Sequence, residues 1–477
     1  MGRYRIHFIL WGFIGLIIVA ALNSCTKSGT PIGRILYKET KNKVYKELDA
    51  DSLTTVFKTY LQQHQAKLKN PRYLTAFYHA QGYTPVLLSK FYADASLNEL
   101  IASIERIGEH GLSARPYRVQ LLKQALADLN NKEKVSGVKQ AYQQVVMTEL
   151  LFAEALTQYS FALQFGKINP RKSLPRYYIQ VERPDSVAFN TVLSTTDLHA
   201  HLIRIQPHDT VYTSLQKMLQ QHHEKDVLTI IANLERMRWK FKRDSSRLVY
   251  VNIPAYTLQT IEEGSLVGAM KVVVGKADGH ETPILSSRIH SVQVNPIWNI
   301  PASIAKKEIL VQAKADRYYL ANHGMDVYYQ GKRITDPDTI DWQRYDEQHL
   351  PYSFKQRPGD ANSLGLIKFL FNNGSSVYLH DTPAKAVFGR TMRAASHGCV
   401  RVEKPLDLAH ALFGEGEKYT TIKEEMGSEE PVARTISLSP QPQVILDYAT
   451  CTKDEKGQLQ FYPDVYGLDS MLYRLLQ

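Results

Sequence analysis

The sequence predicts an α+β protein: an all-helical N-terminal part followed by a mainly β C-terminal domain with an inserted lid. Three observations predict it. Apolar residues recur at helical spacing to about residue 240, the period becomes that of strands at Arg247, and strand-like runs from Leu366 to Phe371 and Ser375 to His380 flank an Asn373-Gly374 pair. An amphipathic helix repeats every 3.6 residues and a half-buried strand every two, so the change of period marks a change of architecture. With 477 residues, 44% of them hydrophobic, the chain can fill two or three domains, and its composition is neither disordered nor fibrous.

Taken in order, Arg3 and Arg5 precede an uncharged apolar run from Phe8 to Leu22, and Leu22-Asn23-Ser24-Cys25 follows. The run is short for a membrane span and fits a secretory leader, residues 1–24. Residues 25–45, rich in Lys, Ser, Gly, Thr and Pro, read as a tether. A helical domain is expected over 46–240. Within it, Ser96-Leu97-Asn98-Glu99 reads as a capping box ahead of Leu100, Ile101, Ile104 and Ile107. Tyr142 to Phe165 is the longest candidate helix, stopped by Gly166 to Pro170, and further helices are expected at about 212–222 and 226–240.

A second domain is expected over 241–477. Leu248 to Ile253, Leu258 to Ile261 and Met270 to Val274 read as strands of an antiparallel sheet. Gly268 to Lys276 is no phosphate loop, because its glycines are too far apart and Ala277 replaces the required hydroxyl residue. Pro296 and Pro301 make the segment from Asn295 rigid and extended. The lid, about 302–355, is polar and aromatic, with Tyr318, Tyr319, Tyr328, Tyr329 and Trp342 and little periodicity.

The chemistry concentrates in Tyr378 to Val402, YLHDTPAKAVFGRTMRAASHGCVRV. A free thiol is mostly protonated at neutrality, and a nearby imidazole is the usual way to raise its thiolate fraction. The Asn373-Gly374 hairpin puts His380 at a strand end, and the chain loops back to bring Ser396-His397-Gly398-Cys399 beside it, nineteen positions on. Pro405 suits the first turn of a helix carrying Leu406, Ala409 and Leu412. Taken alone, a lone cysteine also fits a small buried residue, and a lone histidine a satisfied polar one.

The string Ser-His-Gly-Cys-Val-Arg, with His-Asp-Thr-Pro upstream, resembles the signature of the YkuD-type L,D-transpeptidases, which crosslink bacterial peptidoglycan through a cysteine acyl-enzyme. Gly111-Leu112 with Pro116-Tyr117, the Gly166 to Pro170 turn, Asn295 to Pro301 and Gln356 to Gly365 resemble the larger, YcbB-like branch, whose scaffold domain precedes the catalytic one and whose insertion caps the site. The tail from Phe461 to Gly467 is similar to that branch's C-terminus. The peptidoglycan-binding module of larger members has no room between the helix at Val227 to Phe241 and the first strand.

The resemblance implies Cys399 as nucleophile, His380 as base, the N–H groups of Gly398 and Cys399 as oxyanion donors, and His397 as an orienting or oxyanion group. Arg401, Ser396, Arg393 and Asp381 are its expected substrate-binding residues; Ser396 also reads as structural, and Arg401 and Arg393 equally suit structural salt bridges. It implies donor and acceptor peptide stems as partners and release of D-alanine. Water as acceptor would make an L,D-carboxypeptidase of the same residues, and a decayed site would leave a wall-binding lipoprotein. The end of the leader resembles a lipobox, which implies lipidation of Cys25 and a periplasmic protein held at a membrane, the outer in preference to the inner. Cys451 is then left as a buried structural thiol. No ligand spacing suggests a metal, and no cofactor is expected. The charge of +11, or +9 once the two arginines of the leader are removed, suits an anionic polymer or membrane, and without a dense basic run nucleic acid is not expected.

Overall fold

The computed structural model describes residues 29–221 and 226–477, so the leader and Cys25 lie outside the described residues. The chain divides into two compact units, one holding the residues up to Asp94 with Lys123–Leu151, the other Ala95–Leu122 with Phe152–Gln477.

The first unit is helical. Part of the expected tether is a helix, Pro31–Thr40: the Thr30 hydroxyl accepts the Gly33 N–H, Pro31 presets the first turn, and Ile32 and Leu36, one turn apart, are buried. Its polar residues line the exposed face of an amphipathic helix, which composition alone does not distinguish from a linker. Glu149 is fully buried and accepts from Tyr78 Oη at 2.7 Å and from the Leu87 and Leu88 N–H groups at 2.9 Å, serving the unsatisfied start of helix Val86–Phe91.

In the second unit, helix Ser96–Glu105 buries Leu97, Leu100, Ile101 and Ile104 as the spacing predicts. It starts one residue earlier than a capping box allows. Ala95 occupies the cap position at φ 61 with no side-chain cap, and its carbonyl accepts the Asn98 N–H. The longest helix, Val138–Phe165, belongs to this unit from Phe152 on and ends before Gly166, whose φ of +74 only glycine adopts freely and whose Cβ would strike Trp239 and Glu235. Thr210–Gln220 and Val227–Arg238 follow.

The sheet begins with β1 (Arg247–Asn252), β2 (Thr257–Glu262), β3 (Ser265–Gly275) and β4 (Leu285–Val294). After the insertion it continues through β5 to β9 as labelled here: β5 (Ile367–Phe371), β6 (Leu379–His380), β7 (Ala394–Ser396), β8 (Val400–Val402) and β9 (Gln443–Asp447). Arg434–Ser437 pairs at the side of β4. β3 is long enough to pair with β2 through Lys271 and with β8 through Val272 and Val273, so the strand order returns to its start and the sheet closes on itself. It is not wholly antiparallel as expected. β1 with β9, β6 with β8 and β3 with β7 run parallel, which long connections between the partners permit. Its core includes Val249, Val272, Val292, Phe369, Leu379 and Val400.

The insertion has more structure than its sequence suggests. Trp298–Asn299, Met325–Tyr329, Lys332–Arg333 and Tyr352–Gln356 form their own four-stranded sheet. Ala302–Ile304, a π turn over Ala305–Ile309 and Leu310–Ala315 form one helical segment beside it, and Ile304, Leu310, Val327, Trp342 and Phe354 share a separate core. Its strands, two to five residues long, are too short for periodicity to register, and the π turn shifts the phase of its helical segment.

Candidate active site

The site is built by sheet register. Leu379 of β6 lies between Phe369 of β5 and Val400 of β8, and all three are fully buried in the core. The next row, Lys368, His380, Arg401 and Val273, therefore faces the opposite side of the sheet. Tyr378 and Cys399, each just ahead of its strand and two positions before His380 and Arg401, line the same cleft as those two residues. A tyrosine, an imidazole, an ammonium and a guanidinium are thus gathered round one thiol by alternation alone. Asn373 shapes the turn before β6 differently from the two-residue hairpin expected: its side chain accepts from the Ser375 and Val377 N–H groups and donates to the Phe371 and Val377 carbonyls, holding a longer loop.

The loop that carries Cys399 is fixed from both sides. Gly398 has φ +113, open to glycine and strained for other residues. Its carbonyl accepts from Thr282 Oγ1 at 2.8 Å, and that hydroxyl oxygen in turn accepts the Gly275 N–H at 2.8 Å. Tyr466 locks the other side, donating to the Gly275 carbonyl at 2.7 Å and accepting the Thr282 N–H at 3.1 Å. Ser396 Oγ donates to the Cys399 carbonyl at 2.5 Å and accepts the Gly398 N–H at 3.2 Å.

These bonds revise two expectations. The Gly398 N–H is engaged by Ser396, so it is not the free oxyanion donor expected of it, and Ser396 spends its hydroxyl inside the loop rather than on a ligand. The Cys399 N–H makes no hydrogen bond among the described residues and keeps that capacity.

His380 is 4% exposed, and its Nδ1 lies 2.5 Å from the Asp381 carbonyl. A carbonyl only accepts, so Nδ1 carries the proton and Nε2 is left as the basic nitrogen. Burial, and then the Arg401 charge, hold its pKa down to about 4. Asp381 acts through that carbonyl, while its buried carboxylate accepts the Leu366 N–H at 3.0 Å and pairs with Lys385. It does not line the cleft, so it positions the imidazole instead of binding substrate.

Burial pushes the Cys399 thiol up; the Tyr378 N–H and hydroxyl, Arg401 and Lys368 act against that by favouring the thiolate. His380 does not bond to the sulfur in this state, and such bonds often tighten only with substrate bound. Both directions favour a neutral thiol beside a neutral imidazole over a thiolate–imidazolium pair. That differs from the expectation that the imidazole raises the standing thiolate fraction.

Cys399, His380, Ser396, His397 and Arg401 line a single cleft of about 370 Å³, closed on one side by Trp298, Ser303, Ile304 and Glu308 of the insertion. His397 Nε2 lies 2.6 Å from Glu308 Oε1, and its ring meets His280 edge to face at 4.9 Å. Arg401 reaches the cleft with its Nε buried and unpartnered. Arg393 does not: its guanidinium donates to the Val272, Arg390 and Tyr256 carbonyls and stacks on Tyr256, a structural role. Cys451 is free and buried away from the site, its thiol pushed up to about 12 by burial.

Sequence reasoning missed Tyr378, Lys368, Thr282 and Glu308. Tyr378 could have been found by counting two back from His380 along a strand; the others depend on pairing that no local signal announces.

Residues 246–413 match the family model described as the L,D-transpeptidase catalytic domain, YkuD, and residues 72–219 match the one described as a scaffold domain. A Haemophilus influenzae protein named "Putative L,D-transpeptidase" is 34% identical over 260 residues, 54% of this chain and 52% of that one. The chain thus spans about half the length of this curated relative. An L,D-transpeptidase from Mycobacterium smegmatis is 13% identical over 42% of this chain and 58% of that one, with a TM-score of 0.21. L,D-transpeptidase 3 from Mycobacterium tuberculosis is 12% identical over 42% and 61%, with a TM-score of 0.22. At scores this low the structural likeness decides nothing.

Proposed function

We propose that the chain, whose residues 246–413 match the L,D-transpeptidase catalytic domain and 72–219 a scaffold domain, crosslinks peptidoglycan stems through a thioester on Cys399. The observation that carries the proposal is the shared cleft of Cys399 and His380, with the imidazole held by the Asp381 carbonyl in the tautomer a base requires.

Cys399 Sγ attacks the carbonyl between a diamino acid's L-centre and the terminal D-alanine of a tetrapeptide stem. His380 Nε2 takes the thiol proton as the S–C bond forms, and gives it to the nitrogen of D-alanine as the C–N bond breaks. An amine of a second stem then attacks the thioester, losing its proton to His380, and the product leaves with the thiol restored. The Cys399 N–H and the Tyr378 hydroxyl are the donors for the oxyanion of each tetrahedral intermediate. Lys368 and Arg401 favour the developing negative charge on sulfur. The insertion excludes water, which would otherwise hydrolyse the thioester.

The proposal includes lipid attachment at Cys25 and a periplasmic location at a membrane, the outer one favoured, on the strength of the leader and the residues that end it. The test is to incubate the protein with a disaccharide tetrapeptide and separate the products. Crosslinked dimer and free D-alanine support the proposal. Tripeptide and D-alanine without dimer make water the acceptor, and no product from folded protein removes catalysis.

A further inference from the structure

The charged lining of the catalytic cleft is unbalanced. Among the described residues its one carboxylate, Glu308, is paired with His397, whereas two arginines, Arg401 and Arg176, line it as well. Arg176 comes from the segment matched by the scaffold model, not from the catalytic domain. Its guanidinium makes no hydrogen bond or ion pair among the described residues.

The backbone holds it there firmly. Arg176 has φ +52, a left-handed conformation that a residue with a side chain adopts only at a cost, and such strain persists where surrounding structure enforces it. The Ile284 N–H donates to the Arg176 carbonyl at 2.9 Å and the Tyr178 N–H to the Ile284 carbonyl at 2.7 Å, bridging the segment to the chain just ahead of β4. On one side Leu174 is buried; on the other Tyr177 is buried edge-on against Trp239 at 5.5 Å. Of the three, Arg176 alone lines the cleft of Cys399.

We propose that Arg176 forms a carboxylate-binding subsite of the cleft, through which the scaffold region selects stems with a free carboxylate away from the attacked carbonyl. The inference rests on peptide stems being the substrate. A guanidinium suits the task because its planar fork matches a carboxylate with two parallel hydrogen bonds, and a partly enclosed cleft strengthens that pairing. Two stem carboxylates share this chemistry: the C-terminal one of D-alanine, and one carried on a side chain.

The test measures binding to full-length Cys399→Ala protein, so that no turnover intervenes, by calorimetry with a synthetic tetrapeptide stem, its C-terminal amide and its side-chain amides. Arg176→Ala should weaken the free-acid stem about tenfold or more, the loss expected of a charge-assisted pairing. It should leave unchanged the binding of whichever amide lacks the partner carboxylate, which identifies that carboxylate. Arg176→Lys, which keeps the charge, should recover part of the loss. Equal weakening of acid and every amide, or no weakening at all, overturns the subsite. A parallel turnover assay with Cys399 intact separates the two ideas: turnover without acid-amide discrimination removes the subsite alone, and discrimination without turnover removes the transpeptidase reading while leaving the subsite.

Discussion

Glu308 Oε1 and His397 Nε2 lie 2.6 Å apart, joining the helical segment of the insertion to the residue two before Cys399. Both side chains are partly solvent-exposed, and exposed ion pairs contribute at most about 1 kcal/mol. Glu308→Gln should therefore barely change thermal stability, while hydrogen exchange over residues 302–315 should quicken if the pair holds the insertion down. Unchanged exchange would assign that hold to the apolar contacts of Ile304.

Gly275 packs so closely that a Cβ there would collide with the His280 carbonyl and press on Thr282 and Gly398. Backbone cannot swing aside as a long side chain can. Gly275→Ala should cost about 3 kcal/mol or more, in the range of severe overpacking, read as a lower midpoint in urea. A loss under about 1 kcal/mol would mean that the nucleophile loop is looser than its hydrogen bonds suggest.

Thr282→Val removes the hydroxyl that joins the Gly398 carbonyl to the Gly275 N–H. It should destabilise the protein by about 1–3 kcal/mol, the cost of leaving buried partners unmade. It should also slow acylation of Cys399 more than it slows alkylation by a small reagent, because only acylation needs the oxyanion donors in place.

His380, His110 and His201 are each held down to about pKa 4, chiefly by burial, against an ordinary 6.5. Between those values the unfolded chain binds protons that the folded chain refuses. Stability from these groups is thus complete above about pH 6.5 and is lost as pH falls toward 4. Urea unfolding should show stability dropping across that window, and His380→Gln should make the drop shallower; an unchanged slope would mean that the imidazole is not buried neutral.

Burial raises the Cys399 thiol above its ordinary value. Alkylation by iodoacetamide should accordingly be slow at pH 7 and climb through the alkaline range. A plateau already reached near neutrality would indicate a standing thiolate–imidazolium pair.

What was legible in the sequence follows from how local each signal is. His380 at a strand end and Cys399 beside it could be inferred from one turn and one return loop. Helix Pro405–Phe413 announced itself through its first-turn proline. Lys368 comes near the thiol through strand pairing, Thr282 braces the Gly398 carbonyl from a buried loop, and Glu308 comes from an insertion whose strands are only two to five residues long. Ser396 and Arg393 illustrate the converse: their residue types suit ligand binding, but the surrounding carbonyls consume their donors.

The most direct test of the central claim is the intact mass of the protein during turnover of a tetrapeptide stem, with Cys399→Ala alongside. The account predicts a transient adduct equal to the stem less D-alanine on the unaltered protein, and none on the variant. An adduct that persists on Cys399→Ala, or its absence from unaltered protein while D-alanine is released, would contradict it.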